Sequence, residues 1–185
     1  MQSKTLDELN NLTKQEFLSF VEPAFERTPD VSIYAYDQTI GSGTKITSAD
    51  HLSSVMWTFI DNYMSEQEKH KMVSSHPELQ SKKRREQESS GQLSADSMVE
   101  HKKAGLDVSS LTKDQLDRFD NYNEQYRERF GFPFIVCVRY VPDKALGLLE
   151  AFEKRINNSK EQEFEMAVEE LKKIGQARIR DRITE

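Results

Sequence analysis

Apolar residues recur along much of this chain at intervals of three and four, the spacing that lines one face of an α-helix. Leu52, Val55, Met56, Phe59, Ile60 and Tyr63 form one stripe. Leu116, Phe119, Tyr122, Asn123, Tyr126 and Phe130 form a second, and Phe164, Val168, Leu171 and Ile174 a third. Each predicts a helix with a buried face, and the aromatic and methionine positions read as core. Helix starts are marked as well. Thr13 with Glu16, Ser65 with Glu68, Thr112 with Gln115 and Ser159 with Gln162 have capping-box spacing. There a side-chain oxygen satisfies an orphan backbone N–H while the later residue reaches back. Thr28-Pro29 predicts a fifth start, with proline where its absent N–H costs nothing. Ser48 and Ser94 are plain N-cap candidates. The pattern predicts an all-α fold: a compact single-domain bundle of about eight helices over residues 1–185.

Two stretches break the period. Residues 81–92 are polar and predict a loop or frayed helix. Residues 134–140 read Phe-Ile-Val-Cys-Val-Arg-Tyr, with strand propensity but no evident partner strand. Buried backbone groups must be satisfied somewhere, and a ligand is one candidate partner for this run.

Composition narrows the class. Seven Gly and five Pro are few for a fold built from many tight turns. A net charge of −6 argues against nucleic acid as partner, and the basic cluster Lys82-Lys83-Arg84-Arg85 is followed by Glu86 and Glu88, as in a solvated loop. No apolar run approaches membrane-spanning length, so no membrane role is expected. Cys137 is the single cysteine, which excludes an internal disulfide and points to a reducing, cytoplasmic setting. The alternative, a peroxisome, lacks its C-terminal tripeptide, since the chain reads Arg182-Ile183-Thr184-Glu185.

Few residues remain that could carry chemistry. His51 and His70 lie among polar neighbours and read as surface. His76 precedes Pro77, which biases it out of the helical region and predicts a helix exit near this imidazole. Its ordinary pKa suits proton transfer, although the dipeptide alone reads as a polar helix terminus. Ser97, Glu100 and His101 fall at i, i+3 and i+4 on one helix face opened by Ser94. Taken alone, that face reads as ordinary and solvated. No metal is expected, because no HExxH or CxxC spacing is present. Phe130-Gly131-Phe132-Pro133-Phe134 makes a turn that no helix continues through. It either anchors a loop in the core or walls a pocket for a flat heterocycle.

The ordered series His76-Pro77-Glu78-Leu79, Ser97-x-x-Glu100 with Ala104-Gly105-Leu106, Asn123-x-x-Tyr126, Phe130-Gly131-Phe132-Pro133-Phe134, then Arg155 before Asn157 resembles the 2-oxo-4-hydroxy-4-carboxy-5-ureidoimidazoline (OHCU) decarboxylase family. The likeness runs from Phe17, through Phe25-Glu26-Arg27-Thr28-Pro29, to Ile174 and Arg178. It implies cofactor-independent conversion of OHCU to (S)-allantoin in urate degradation, by an all-α homodimer. By position it implies that His76 is the catalytic proton donor and Glu100 its partner carboxylate. It further implies that Ser97 and Arg155 contact substrate. Pro77, the segment Ser97, Met98, Val99, Glu100 and His101, and the run Phe134, Ile135, Val136, Cys137 and Val138 would line the pocket. Three features depart from the family pattern. His101 stands where Gln is usual, Asp30 where Trp is common, and the stretch between His76 and Glu100 is a few residues longer. His101 keeps a second function open, a non-catalytic helical binding or scaffold protein derived from the same fold.

Overall fold

Each predicted cap that falls within the described residues opens a helix. The computed structural model describes residues 3–25, 28–79 and 111–184. Ser94, the loop at 81–92 and Ser97, Met98, Val99, Glu100 and His101 lie outside them. Eight α-helices occur among the described residues: α1 (Leu6–Asn10), α2 (Lys14–Val21), α3 (Pro29–Gln38), α4 (Ala49–Asn62), α5 (Glu66–Ser74), α6 (Lys113–Phe130), α7 (Lys144–Arg155) and α8 (Lys160–Arg180). The all-α class therefore holds. The reciprocal bonds of a capping box form at Thr13/Glu16, Ser65/Glu68, Thr112/Gln115 and Ser159/Gln162. Thr5 and Glu8 make a further one at the start of α1. Each such cap contributes on the order of 1 kcal/mol. Pro29 opens α3, and the Ser48 hydroxyl accepts from the His51 N–H at the start of α4. None of these helices is long and apolar enough to cross a membrane.

The chain gathers into two compact units, one of Met1–Met72 with Val168–Glu185, the other of Val73–Ala167. In the first, α2, α3 and α4 bury Phe17, Val21, Val31, Ala35, Leu52, Met56 and Ile60. Tyr63, the last residue of the α4 stripe, instead stays 62% exposed beside Tyr34 and Phe59. A two-residue parallel pair joins β1 (Lys4–Thr5) to β2 (Ile183–Thr184). Gly175 is required where the Phe25 ring lies against α8, because an added Cβ would come within 2.2 Å of that ring. Trp57 donates its indole N–H to the Lys172 carbonyl, and the Lys172 ammonium sits 5.6 Å from the ring centroid. That ammonium also pairs with Asp61 and Glu169.

The second unit is built on an aromatic cluster. Phe119, Tyr126 and Phe152 are fully buried, and the Phe134 and Phe152 rings stack with centroids 3.8 Å apart. Phe130, Phe132 and Phe134 all turn inward, so the Phe-Gly-Phe-Pro-Phe side chains serve the core. Gly131 ends α6 in the left-handed region (φ 80°), which only glycine adopts without cost, and its N–H donates to the Arg127 carbonyl.

Candidate functional site

Residues 133–137 join no helix or sheet, and a short 3₁₀ turn, Val138–Tyr140, follows. The strand propensity of the run does not produce a strand. α7 holds this run from both of its ends. In its first turn the Lys144 ammonium donates to the carbonyls of Val138, Arg139 and Val141, at 2.6, 3.0 and 2.8 Å. In its last turn the Arg155 guanidinium donates through Nη1 to the Ile135 carbonyl at 2.7 Å. The same guanidinium lies 4.6 Å from the centroid of the Phe134 ring. Phe134 and Ile135 are each 1% exposed. No described residue accepts from the backbone N–H of Phe134, Ile135 or Val136. Buried N–H groups are nearly always paired in folded proteins. These three donors mark the run as a place where a carbonyl-rich ligand would find N–H groups that no described residue engages.

Arg155 owes its place to Glu163. Arg155 lies in the last turn of α7 and Glu163 in the first turn of α8, each favoured there by the helix dipole. Glu163 is fully buried. Its Oε1 accepts from Arg155 Nε at 2.9 Å, from Arg155 Nη2 and from the Tyr126 hydroxyl. Its Oε2 accepts from Asn158 Nδ2 at 2.7 Å. Four donors on one carboxylate offset the cost of burying its charge, and removing one partner of such a pair costs about 3–5 kcal/mol. Burial pushes the Tyr126 hydroxyl well above its ordinary value, partly opposed by the Arg155 charge. It therefore stays a donor at any physiological pH. A guanidinium has five N–H donors. Three of those on Arg155 are engaged here, which leaves one on Nη1 and one on Nη2 without an acceptor among the described residues.

His76 stands where Pro77 predicts it, just past the end of α5, with its N–H donating to the Val73 carbonyl at 3.2 Å. It is half-buried and Pro77 is exposed. The chain beyond it is tied down by α6. Asn123 Nδ2 donates to the Leu79 carbonyl at 2.8 Å, and Arg127, one turn on, pairs with Glu78. Asn123 Oδ1 is buried and has no hydrogen-bond partner among the described residues. The structure thus brings Arg155 together with Phe134 and Ile135, and holds the segment after His76 on the α6 face that also carries Tyr126. Cys137 is buried and in no disulfide, and Val136 and Val138 are half-buried.

Glu163 was not singled out by sequence. Its one signal is a position in the first turn behind the Ser159/Gln162 cap, which acidic residues favour for reasons unrelated to burial. No cluster of metal-ligating side chains occurs among the described residues. The first unit has a separate cleft of about 220 Å³ lined in part by Asp30, Phe59, Met64, Glu68 and Lys71, and no predicted site residue lies in it.

Comparison with known proteins bears on what this arrangement does. A sequence model of the family described as OHCU decarboxylase matches residues 10–180. A 2-oxo-4-hydroxy-4-carboxy-5-ureidoimidazoline decarboxylase of Amia calva is 34% identical over 175 residues, 94% of this chain and 91% of that protein. One from Haloferax volcanii is 27% identical over 184 residues, covering 100% of this chain and 99% of its own. Among solved structures, that of an (S)-allantoin synthase superposes with a TM-score of 0.72 at 26% identity, over 97% of this chain and 54% of that one.

Proposed function

The chain belongs to the OHCU decarboxylase family, and on that footing we propose that it decarboxylates OHCU to (S)-allantoin. The observation that carries this reading within the molecule is the run at 134–136. Among the described residues nothing accepts from its backbone N–H groups, and Arg155 is anchored beside it with two N–H donors that no described residue accepts. OHCU is an anionic, carbonyl-rich heterocycle, and it suits both sets of donors.

The chemistry asks little of the protein beyond binding and proton management. The bond from the ring carbon to the carboxylate breaks, carbon dioxide leaves, and the electron pair enters the adjoining ring C=N, whose nitrogen takes a proton. The resulting enol then loses its hydroxyl proton as the ureido-bearing carbon gains one. One proton is consumed overall. Because the substrate supplies its own electron sink, no cofactor or metal is invoked. Orientation and general acid–base catalysis suffice. Delivery of the last proton to one face sets the (S) configuration. In this reading His76 manages protons with Glu100 beside it, and Arg155 and Ser97 orient the substrate. Pro77, residues 97–101 and residues 134–138 line the pocket. The enzyme works as a homodimer in the cytoplasm, a setting with which a single buried cysteine in no disulfide agrees.

The test is an assay with freshly generated OHCU, followed by circular dichroism of the allantoin formed. Optically active (S)-allantoin is expected at a rate above that of spontaneous decay. Racemic product at the spontaneous rate would leave a non-catalytic binding protein as the function.

A further inference from the structure

We propose that Glu163 is a positioning residue for substrate binding. It acts through Arg155 to set both the direction of the guanidinium N–H donors that no described residue accepts and the carbonyl register of the pocket-lining run. The proposal rests on the decarboxylase reading for its ligand, and on the geometry of this unit for everything else. A guanidinium on a flexible side chain has many orientations. Here Nε and Nη2 both bond a single buried carboxylate oxygen, and Nη1 bonds the Ile135 carbonyl. Two edges of one planar group are therefore fixed by two points on different parts of the chain. The donors left over can point in one direction only.

The carboxylate is itself immobile. It is 0% exposed, the Tyr126 hydroxyl from α6 holds the same oxygen, and Asn158 holds the other. Tyr126 in turn packs edge-on against Phe134, with ring centroids 5.2 Å apart. The hub thus touches the pocket-lining run through two routes, the Arg155–Ile135 bond and the Tyr126–Phe134 contact. A purely structural ion pair would need neither the Ile135 carbonyl nor N–H groups on its cation that no described residue accepts.

A double-mutant cycle on the full chain separates positioning from stability alone. Glu163→Gln keeps the shape and removes the charge, so Arg155 loses the partner that orients it. The KM for OHCU is expected to rise about ten- to hundredfold, the effect of weakening charge-assisted hydrogen bonds, with a smaller change in kcat. In an Arg155→Met background the same Glu163→Gln change should leave KM unaltered, because nothing remains to be positioned. Glu163→Asp, which keeps the charge, should recover part of the loss. Lys172→Met, which breaks a half-buried charge cluster in the other unit, should lower the thermal midpoint without moving KM. An equal rise in KM in both backgrounds would overturn the proposal, as would a lower midpoint for Glu163→Gln at unchanged KM.

If Glu163→Gln fails to fold, the double replacement of Arg155 by Met and Glu163 by Leu should fold, since apolar pairs replace buried ion pairs without loss. It should match Arg155→Met in KM, and a higher KM would count against the proposal. A readout free of OHCU distinguishes failure here from failure of the decarboxylase reading. By ¹⁵N NMR the Arg155 Nε–H should be protected from solvent exchange in the wild type and exposed in Glu163→Asp. Equal protection in both would refute positioning even in a protein that turns nothing over.

Discussion

Replacing Asn123 by Leu should make the protein slower without making it less stable. Asn123 is 5% exposed, and its side chain does two opposed things. Its Nδ2 donates to the Leu79 carbonyl at 2.8 Å, while its Oδ1 is buried with no partner among the described residues. The acceptor partner fixes which end of the amide is which, so the orphan is an oxygen. Loss of the Leu79 bond costs about 0.5–1.5 kcal/mol, at the lower end because Leu79 is half-buried and water can replace the donor. Removing a buried unsatisfied oxygen returns about 1–3 kcal/mol. Leucine is close to asparagine in shape, so no cavity opens. The balance is about +1 kcal/mol, which for a chain of 185 residues raises the midpoint by about 2–4 °C. Activity should move the other way. Leu79 lies three residues past His76, and releasing its tie loosens that segment on α6, where the Arg127–Glu78 pair remains. A fall in kcat of about tenfold is expected, within the range that loose placement of an acid–base group produces. Thermal melts by far-UV circular dichroism and the optical allantoin assay read the two effects. A midpoint lowered by more than about 4 °C would show that the oxygen is satisfied after all. An unchanged kcat would show that the tie does not position His76.

Three further outcomes follow from other parts of the structure. His76→Asn should abolish stereoselective allantoin formation, with kcat reduced about 10²–10⁴-fold and the circular dichroism melt nearly unchanged; near wild-type turnover would move the proton chemistry elsewhere. Gly175→Ala would set a Cβ 2.2 Å from the ring of Phe25, itself 5% exposed; this should cost about 1–3 kcal/mol, seen as a lower urea midpoint, and an unmoved midpoint would show that the ring yields freely. The capping glutamates predict the acid limb of stability. The Thr5 backbone N–H holds the Glu8 carboxyl below its ordinary value of 4.5, and the hydroxyls of Thr13 and Ser65 do the same for Glu16 and Glu68. A depressed folded-state value means that their contribution is complete above pH 4.5 and is lost as pH falls through the folded value. The midpoint should therefore decline below about pH 4.5, and the triple Gln variant at these positions should decline less steeply; identical slopes would contradict the assignment.

Sequence legibility followed the range of the interaction. Capping boxes are local, with both partners three residues apart, and Thr13, Ser48, Ser65, Thr112 and Ser159 could be read directly. The Thr5/Glu8 box was passed over because α1, with five residues, is too short to display a stripe. Tyr63 continues the α4 period yet is exposed, since the period cannot say where the neighbouring surface ends. The run at 134–140 has strand propensity, yet it forms no strand and ends in a 3₁₀ turn, and no local pattern marks the cations that grip it from both ends of α7. The parallel pair of Lys4–Thr5 with Ile183–Thr184 joins positions nearly the whole chain apart, and no two-residue strand has a pattern. Glu163 is the clearest case. Its burial is set by Arg155, Tyr126 and Asn158, none of which forms a periodic pattern with it.

Trp57 makes the two units optically unequal. It is the sole tryptophan of the chain, lies in the first unit, and is bonded and overlaid by Lys172. Its emission therefore registers the loosening of that unit and the withdrawal of a nearby cation. The unit that carries His76 and Arg155 contributes only tyrosine and phenylalanine light. A fluorescence melt would report on half of the molecule while remaining blind to the half proposed to do the chemistry. The gap between such a melt and a dichroism melt would measure how far the two halves unfold as one.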